Sequence, residues 1–417
     1  MRVAVIGAGA IGCTVAARLA QRGAQVTLID KASPGAGTSG TSYAWINANG
    51  KRPVAYYRLN FAGLMAHHRL SPKNESGWLG RGGHVEFSVE QEHDADLLER
   101  IEYMKMQGYR MDAIAADEVW RLLPDIKLPD GVKTIVHYLD ETYVHPMKYI
   151  GHMIGEAREA GVALRTGVAV NGLEQTGAQI NVRLEDGSKV EVDRVVSAVG
   201  RWSRKLAAMA DADVPVREFA TPGDIVVGYL ALTNPVPTRL TRLITSPQLN
   251  VRPAGGGRLM LQALDLDRTA DPDNVPGVTS ALAETFLERL QRLLRNTEGA
   301  LIENIRVGQR VMPEDGRTIV GPAPGAPWLY VVATHSGITL APYLGKEVAA
   351  EVLGEKSEIF DEFRIERFAA DRSYGNVDGV VCGRGRNPTL RFRPSVFAGE
   401  IDVLPAERRD MGQEISR

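Results

Sequence analysis

The sequence predicts a two-domain α/β protein, and two observations carry that prediction. First, the chain has 417 residues, whereas a typical domain has ~100–200, so two domains or one large domain with an insertion are expected. Second, residues 2–30 have the pattern of a β-α-β unit, residues 51–144 read mainly as helices, and residues 216–302 read as strands. This change of character indicates that a second, differently built domain accompanies the β-α-β unit.

Composition excludes several classes of protein. Apolar residues make up 44% of the chain and charged residues 24%, which is typical of soluble globular proteins and not of collagen, coiled coils or disordered chains. The 49 basic and 51 acidic residues nearly cancel, so no global field favours nucleic acid or an anionic membrane. Two cysteines, Cys13 and Cys382, make neither a disulfide framework nor a zinc site. No apolar stretch is long enough to span a membrane, and a reducing, cytoplasmic setting is expected.

The first 30 residues carry the clearest local pattern. A short apolar strand covers Arg2–Ile6, residues 11–22 have helical periodicity, and a second strand covers residues 25–29. A loop rich in Gly, Ser, Thr and Pro follows at residues 33–40. The order strand, helix, strand predicts a parallel pair of strands with the helix packed on one face.

A G-x-G-x-x-G motif lies between that strand and that helix. Gly7 would make the tight turn, Gly9 would let the backbone approach a pyrophosphate, and Gly12 would let the helix pack closely on the strand. Asp30 stands at the end of the second strand, where a carboxylate can accept hydrogen bonds from a ribose. The motif predicts a bound dinucleotide. It does not separate NAD from FAD, but a simple NAD dehydrogenase seldom needs the polar loop at residues 35–42.

Later elements are predicted from periodicity and from turn residues. Helices are expected at residues 53–70, 93–106, 116–123, 147–160, 278–295 and 339–353. Strands are expected at residues 163–170, 179–184, 190–192, 195–199, 225–232, 241–245, 258–264 and 329–333. Residues 371–417 carry eight Arg, no Lys and no periodic apolar face, so a weakly ordered tail is expected there.

Four segments together resemble the D-amino-acid oxidase superfamily of flavoproteins, which includes glycine and sarcosine oxidases and D-amino-acid dehydrogenases. They are residues 3–42 with the glycine motif, 193–203 with a Gly-Arg-Trp-Ser end, 308–321 with Gly-Gln-Arg and Glu-Asp-Gly, and 333–342 with Thr-His-Ser-Gly-Ile. The resemblance covers residues 1–368. Two departures stand within it: Val311 replaces a proline common in the family, and Thr334 precedes His335 where the family has Gly-His.

The resemblance implies a discontinuous, Rossmann-like FAD-binding domain and a substrate domain built on a mixed, largely antiparallel sheet. The implied boundaries are residues 1–50, 145–215 and 303–368 for the FAD-binding domain, 51–144 and 216–302 for the substrate domain, and 369–417 for the tail. Because the tail lies beyond the family-like chain, its removal is expected to leave flavin binding largely intact.

The resemblance also implies a set of FAD-binding residues. They are Gly7, Gly9, Ala10, Ile11, Gly12, Asp30, Lys31, Thr38, Ser39, Thr41, Ser42, Val168, Ala198, Gly200, Trp202, Arg310, Ser336, Gly337, Ile338 and Thr339. Some members attach FAD through a cysteine, but this chain has none between residues 14 and 381. Noncovalent FAD is therefore expected, and no metal is.

Two residues are predicted to be catalytic. Arg310 matches the family position at which an arginine binds the substrate carboxylate, and a planar guanidinium suits that role because it grips a carboxylate with two parallel hydrogen bonds. The alternative is a structural Arg310 that pairs with Glu314 or Asp315. His335 is placed next to the flavin, with a loop-bracing hydrogen bond as its alternative. The helix after Gly337 would point its N-terminus at the flavin and stabilise negative charge there.

Three further residues are predicted to bind substrate. Arg252 resembles a substrate-sheet residue that faces the cavity, with an exposed strand position as the alternative. Asn47 follows the polar loop, and Tyr143 lies near the crossing between domains.

The resulting functional expectation is an FAD-dependent enzyme that oxidises the C–N bond of a D-amino acid, glycine, an N-methyl amino acid or a secondary amine. A hydride would pass to flavin N5, the imine would be hydrolysed, and oxygen, a quinone or another electron-transfer acceptor would re-oxidise the flavin. A flavoenzyme of other chemistry and a non-catalytic flavin-binding subunit are the alternatives. Homo-oligomers, and peripheral attachment to the inner face of a membrane, are compatible with the sequence; nucleic acid is not an expected partner.

Overall fold

A computed structural model describes residues 1–71 and 77–371. In this part of the chain the strands are β1 (Arg2–Ile6), β2 (Gln25–Asp30), β3 (Trp45–Ile46), β4 (His84–Phe87), β5 (Met111–Ala113), β6 (Ile135–Tyr138), β7 (Thr142–Tyr143), β8 (Ala163–Thr166), β9 (Val170–Thr176), β10 (Gln179–Leu184), β11 (Lys189–Val192), β12 (Arg194–Ser197), β13 (Val216–Arg217), β14 (Val227–Thr233), β15 (Leu243–Thr245), β16 (Asn250–Gly255), β17 (Arg258–Gln262), β18 (Ile302–Gln309), β19 (Met312–Pro313), β20 (Ile319–Ala323) and β21 (Ala326–Ala333).

The helices alternate with these strands. They are α1 (Ala10–Gln21), α2 (Val54–Leu70), α3 (Gln91–Met106), α4 (Ala116–Leu122), α5 (Pro146–Glu159), α6 (Ser203–Ala207), α7 (Ala281–Leu293), α8 (Gly337–Val352) and α9 (Arg367–Asp371). Two single 3₁₀ turns, Thr38–Thr41 and Leu266–Thr269, matter for the site. None of the described helices has the length and apolarity needed to cross a bilayer.

A six-stranded sheet holds the glycine motif. Its order is β20-β21-β12-β1-β2-β8, and every pairing is parallel except that of β20 with β21. Helix α1 packs against both α5 and α8, and the apolar faces of these helices join β1 and β2 in one buried core. The predicted β-α-β unit is therefore confirmed. The parallel strands all point the same way, so the residues that follow them converge at one edge of the sheet.

An eight-stranded sheet forms the second part of the described chain. Its order is β18-β14-β17-β16-β15-β4-β6-β5, with β15 and β4 parallel and the other neighbours antiparallel. This arrangement confirms the predicted mixed, largely antiparallel sheet. Strand β18 pairs with β14 along its whole length, so residues 302–309 belong to this sheet.

Some local predictions differ from the structure. The strand predicted at residues 163–170 is two strands, β8 and β9, because Gly167 has a φ of +76° that interrupts the extended chain. The buried strand β4 was not predicted from periodicity, since two of its four residues, His84 and Glu86, are polar. From residue 372 onward, the predicted tail lies outside the residues that the structure describes.

Candidate active site

A cavity of about 580 Å³ opens at the carboxyl ends of β1, β2, β12 and β21. Sixteen of the residues predicted from the sequence line it: Gly7, Gly9, Ala10, Ile11, Asp30, Lys31, Thr38, Ser39, Ser42, Val168, Ala198, Gly200, Trp202, His335, Gly337 and Ile338. The other predicted residues lie outside that lining: Gly12, Thr41, Ser336, Thr339, Arg310, Arg252, Asn47 and Tyr143. A crevice at the carboxyl edge of a parallel sheet is the usual ligand position in this architecture.

The three glycines of the motif have different surroundings. Gly7 has a φ of +101°, and a Cβ there would lie 2.5 Å from the carbonyl oxygen of Ala198. A Cβ on Gly12 would overlap the carbonyl oxygen of Gly7. A Cβ on Gly9 would meet only the Ser39 hydroxyl, at 3.1 Å. The protein's own packing thus requires glycine at positions 7 and 12, whereas the space beside Gly9 belongs to the cavity.

Polar groups surround the first turn of α1. Ser39 Oγ accepts a hydrogen bond from the Ala10 amide at 3.1 Å. The Asp30 carboxylate accepts from the amides of Ala8 at 2.6 Å and Ala32 at 2.8 Å. These bonds fix the carboxylate at the cavity wall. Each carboxylate oxygen keeps further acceptor capacity for a ligand hydroxyl.

Trp202 forms a wall of the same cavity. The Lys31 ammonium lies 4.0 Å from the centre of its ring, and the Arg201 guanidinium lies 3.8 Å from it. Two cations over one indole ring hold its orientation through cation–π attraction. The cavity wall near Asp30 is therefore positively charged, which suits an anionic ligand.

The N-terminal turn of α8 forms the other end of the cavity. Ser336 Oγ and Tyr56 OH are 3.0 Å apart, and Thr339 Oγ1 donates to the carbonyl of Trp45. Loss of hydration, with Lys51 and Arg310 nearby, lowers the pKa of His335 to about 3. His335 is therefore neutral at physiological pH. The structure shows no bracing hydrogen bond from it among the described residues.

The structure gives Arg310 a different environment from the predicted one. Its Nη1 donates to the carbonyls of Ile225 and Val227, and its Nη2 forms a 2.8 Å ion pair with Asp267 in the 3₁₀ turn Leu266–Thr269. These three acceptors occupy the guanidinium that was predicted to bind a substrate carboxylate. Whether it binds substrate stays a prediction.

The alternative partners proposed for Arg310 are wrong. Glu314 pairs with Arg204 at 2.7 Å, and Asp315 pairs with Arg317 and Arg367. Arg310 is thus tied within the eight-stranded sheet, because Asp267 lies beside β14 and also accepts from the Tyr229 amide.

The structure brings two predicted substrate residues together and separates the third. The Arg252 guanidinium lies 5.5 Å from the ring centres of both Tyr143 and Tyr43. Tyr43 was not predicted, although it directly follows Ser42 at the end of the polar loop, and that position was the available signal. Asn47 instead bonds within its own loop, donating to Trp45 O and accepting from the Asn49 amide.

Beneath the loop that carries Trp45 lies a buried polar network that the sequence did not reveal. Glu141 accepts from Trp45 Nε1 at 2.7 Å and from Tyr109 OH at 2.9 Å, and lies 2.7 Å from His84 Nδ1. His84 and Glu141 are fully buried. Because each partner comes from a different element, the network fixes β3 against the eight-stranded sheet. No group of metal-ligating side chains occurs among residues 1–71 and 77–371.

The buried side chain of His67 is expected to make the folded protein less stable in acid. Desolvation lowers the pKa of His67, whose ring bonds the Ile338 carbonyl at 2.8 Å, to about 4. An unfolded histidine has a pKa of ~6.5, so the unfolded state binds more protons below that pH and the free energy of unfolding falls toward pH 4. At pH 5 the expected loss from His67 is on the order of 1–2 kcal/mol.

Melting temperatures measured from pH 7 to pH 4.5 test this expectation. His67→Gln retains a donor for the Ile338 carbonyl and removes the titrating group, so its decline should be shallower than that of the wild type. Parallel declines in the two proteins would show that His67 does not contribute.

Comparison with known proteins places the chain among flavoproteins. Residues 2–351 match the family model described as DAO, FAD dependent oxidoreductase. The bifunctional protein ThiO/ThiG of Synechocystis is 25% identical over 232 residues, which are 55% of this chain and 34% of that protein. The 4-methylaminobutanoate oxidase (formaldehyde-forming) of Paenarthrobacter nicotinovorans is 26% identical over 392 residues, which are 90% of this chain and 47% of that protein. The chain thus spans a third to a half of these two relatives.

A solved structure shows the same fold. Glycine oxidase from Geobacillus kaustophilus superposes with a TM-score of 0.76 at 22% identity, covering 88% of this chain and 99% of that one. Because the superposition covers most of both chains, the likeness is one of overall fold.

Proposed function

Since the chain belongs to the DAO family of FAD-dependent oxidoreductases, we propose that it oxidises the C–N bond of an amino acid or a secondary amine. The single observation that carries the proposal is the cavity at the carboxyl edge of the parallel sheet, which extends from the glycine motif to His335 and the start of α8. Two similar proteins add support, because glycine and 4-methylaminobutanoate, after which these oxidases are named, are both amines.

The cavity's residues fit FAD. Gly7 and Gly9 leave the backbone bare where a pyrophosphate would approach, and α1 begins there with no side-chain cap from Gly9. Asp30 would hold a ribose hydroxyl with its remaining acceptor capacity. The cations Lys31 and Arg201 stand beside that position. We therefore assign the ADP half of FAD to this end.

The other end would hold the reacting part of the site. When bound, FAD supplies the hydride acceptor at its N5. The N-terminus of α8, at Gly337 and Ile338, would stabilise negative charge that develops next to it. His335, neutral at physiological pH, would add no positive charge there. The amine would react in its neutral form, because its nitrogen lone pair must form the C=N bond as the hydride leaves the neighbouring carbon. The imine product would then be hydrolysed by water.

The test is a substrate screen on the holoenzyme. D-amino acids, glycine and N-methyl amino acids would be mixed anaerobically with the protein, and bleaching of the flavin absorbance would be followed without NAD(P)H. Bleaching by at least one compound supports the proposal. An absorbance that no amine or amino acid changes, but that NAD(P)H bleaches, would point to a different flavoenzyme. The same screen in the presence of oxygen and of an artificial acceptor identifies the re-oxidant.

We also expect FAD to be held without a covalent bond. In the part of the chain that the structure describes, no cysteine lines the cavity, and Cys13 is buried in α1, where desolvation raises its pKa to about 12. Precipitating the holoenzyme with acid should release yellow flavin to the supernatant. Flavin that stays with the pellet would show a covalent link, and the cavity's one histidine, His335, would be the residue to examine.

A further inference from the structure

We propose that Arg252 and Tyr43 form the carboxylate-binding subsite of this enzyme, and that Arg310 serves instead as a structural residue. The proposal rests on the proposed function and narrows it to amines that carry a carboxylate. In this proposal, the substrate is selected by Arg252 on strand β16 and by Tyr43 in the segment that follows the polar loop.

The first argument is the missing counter-charge of Arg252. Its side chain is 2% exposed, and its Nε and Nη1 donate to the carbonyls of Tyr43 and Pro253. No carboxylate lies within ion-pair distance of it among the described residues, and burial lowers the pKa of the guanidinium to about 10. Most buried charges are paired, because removing an isolated cation from water is costly. An anionic ligand would supply the missing partner to Nη2.

The second argument is an unpartnered hydroxyl beside the same guanidinium. Tyr43 is 9% exposed, and its OH has no hydrogen-bond partner among the described residues. Leu230, Leu243 and Met260 pack with the tyrosine rings in one apolar cluster, and His145 lies against Tyr143 with the two ring centres 5.5 Å apart. A donor and a cation in an apolar cluster provide the two contacts that a carboxylate uses.

The third argument is position. Tyr43 follows Ser42, which lines the cavity. Trp45, two residues later, accepts a hydrogen bond from Thr339 in the first turn of α8. The segment 42–45 therefore connects Arg252 to the end of the cavity where the chemistry is proposed. A carboxylate held there would place the adjoining amine carbon toward that end.

The fourth argument is that Arg310 is already neutralised. Both terminal nitrogens of Arg310 already donate, to Asp267 at 2.8 Å and to two carbonyls, whereas Arg252 has no acidic partner among the described residues. Of the two candidate arginines, only Arg252 lacks an anion.

The test compares matched substrate pairs in three holoenzymes. Glycine, sarcosine and D-alanine would be assayed against glycinamide, sarcosinamide and D-alaninamide. In Arg252→Met we expect KM for the acids to rise about 10- to 100-fold and KM for the amides to change less than about threefold. Tyr43→Phe, a smaller change that keeps the ring, should raise KM for the acids by about tenfold. Arg258→Met is the matched control on the neighbouring strand, where Arg258 pairs with Glu303 at the surface.

A binding measurement separates this proposal from the proposed function. Propionate should perturb the flavin absorbance, and raise the melting temperature, of the wild type and of Arg258→Met, but not of Arg252→Met. That result would uphold the subsite even if no amine were oxidised. Equal losses for acids and amides, or propionate binding unchanged in both Arg252→Met and Tyr43→Phe, would overturn it. If Arg252→Met fails to fold, the same measurements on Tyr43→Phe alone test the proposal.

Discussion

Replacing Gly9 by valine is expected to abolish FAD binding while the apoprotein remains folded. A side chain at this position meets only the Ser39 hydroxyl within the protein. It would, however, fill the space through which the backbone approaches the pyrophosphate. We therefore expect purified Gly9→Val to lack the flavin absorbance and to show no rise in melting temperature with excess FAD.

Gly12→Val is the contrasting variant. A Cβ there overlaps the Gly7 carbonyl oxygen, so the helix α1 cannot pack on β1 and the fold itself should be lost or strongly destabilised. Asp30→Ala removes one hydrogen-bonding group and should weaken FAD by about 1–3 kcal/mol. Full occupancy by FAD in Gly9→Val would show that the phosphates lie elsewhere, whereas an unfolded Gly9→Val apoprotein would show that Gly9 serves packing.

Replacing Arg310 by methionine should lower the free energy of unfolding by about 2–4 kcal/mol. The change leaves Asp267, which is about one-tenth exposed, without its cation, and two carbonyls without a donor. If Arg310 instead binds substrate, as the family resemblance implies, Arg310→Lys should raise KM for amino acids more than about tenfold with little loss of stability. Urea unfolding and steady-state kinetics on the same preparations distinguish the two roles.

A double variant sharpens this test. Asp267→Asn removes the charge that Arg310 neutralises and keeps an oxygen for the Tyr229 amide, which Asp267 bonds at 2.8 Å. If the pair is structural, Arg310→Met with Asp267→Asn should recover part of the stability lost by Arg310→Met alone. No recovery, combined with a KM effect confined to carboxylate substrates, would restore Arg310 to the substrate site.

Much of the cofactor end could be predicted from the sequence because its signals are local. The turn at Gly7, the packing of Gly12 and the acid at Asp30 are all encoded within one β-α-β unit, and the structure places Gly7 and Asp30 at the cavity and Gly12 against Gly7. Strand periodicity similarly indicated three of the eight strands of the second sheet, β14, β15 and β17, but not β5, β6, β16 or β18. It missed β4, since His84 and Glu86 are buried by partners that lie far away in the chain.

The sequence by itself determined the fold class and the glycine turn, because their signals lie in neighbouring residues, whereas the position of α8 at the cavity was implied by the resemblance to the flavoprotein family. Only the tertiary structure decided which groups Arg310 and Arg252 contact. Arg310 meets Asp267 across 43 residues, and Arg252 meets Tyr43 across 209. A charge is satisfied by whatever acceptor the fold brings within about 3 Å, and no local pattern records that distance. The pairing of β18 with β14 brings Arg310 beside Asp267, a contact that the motif around Arg310 does not encode.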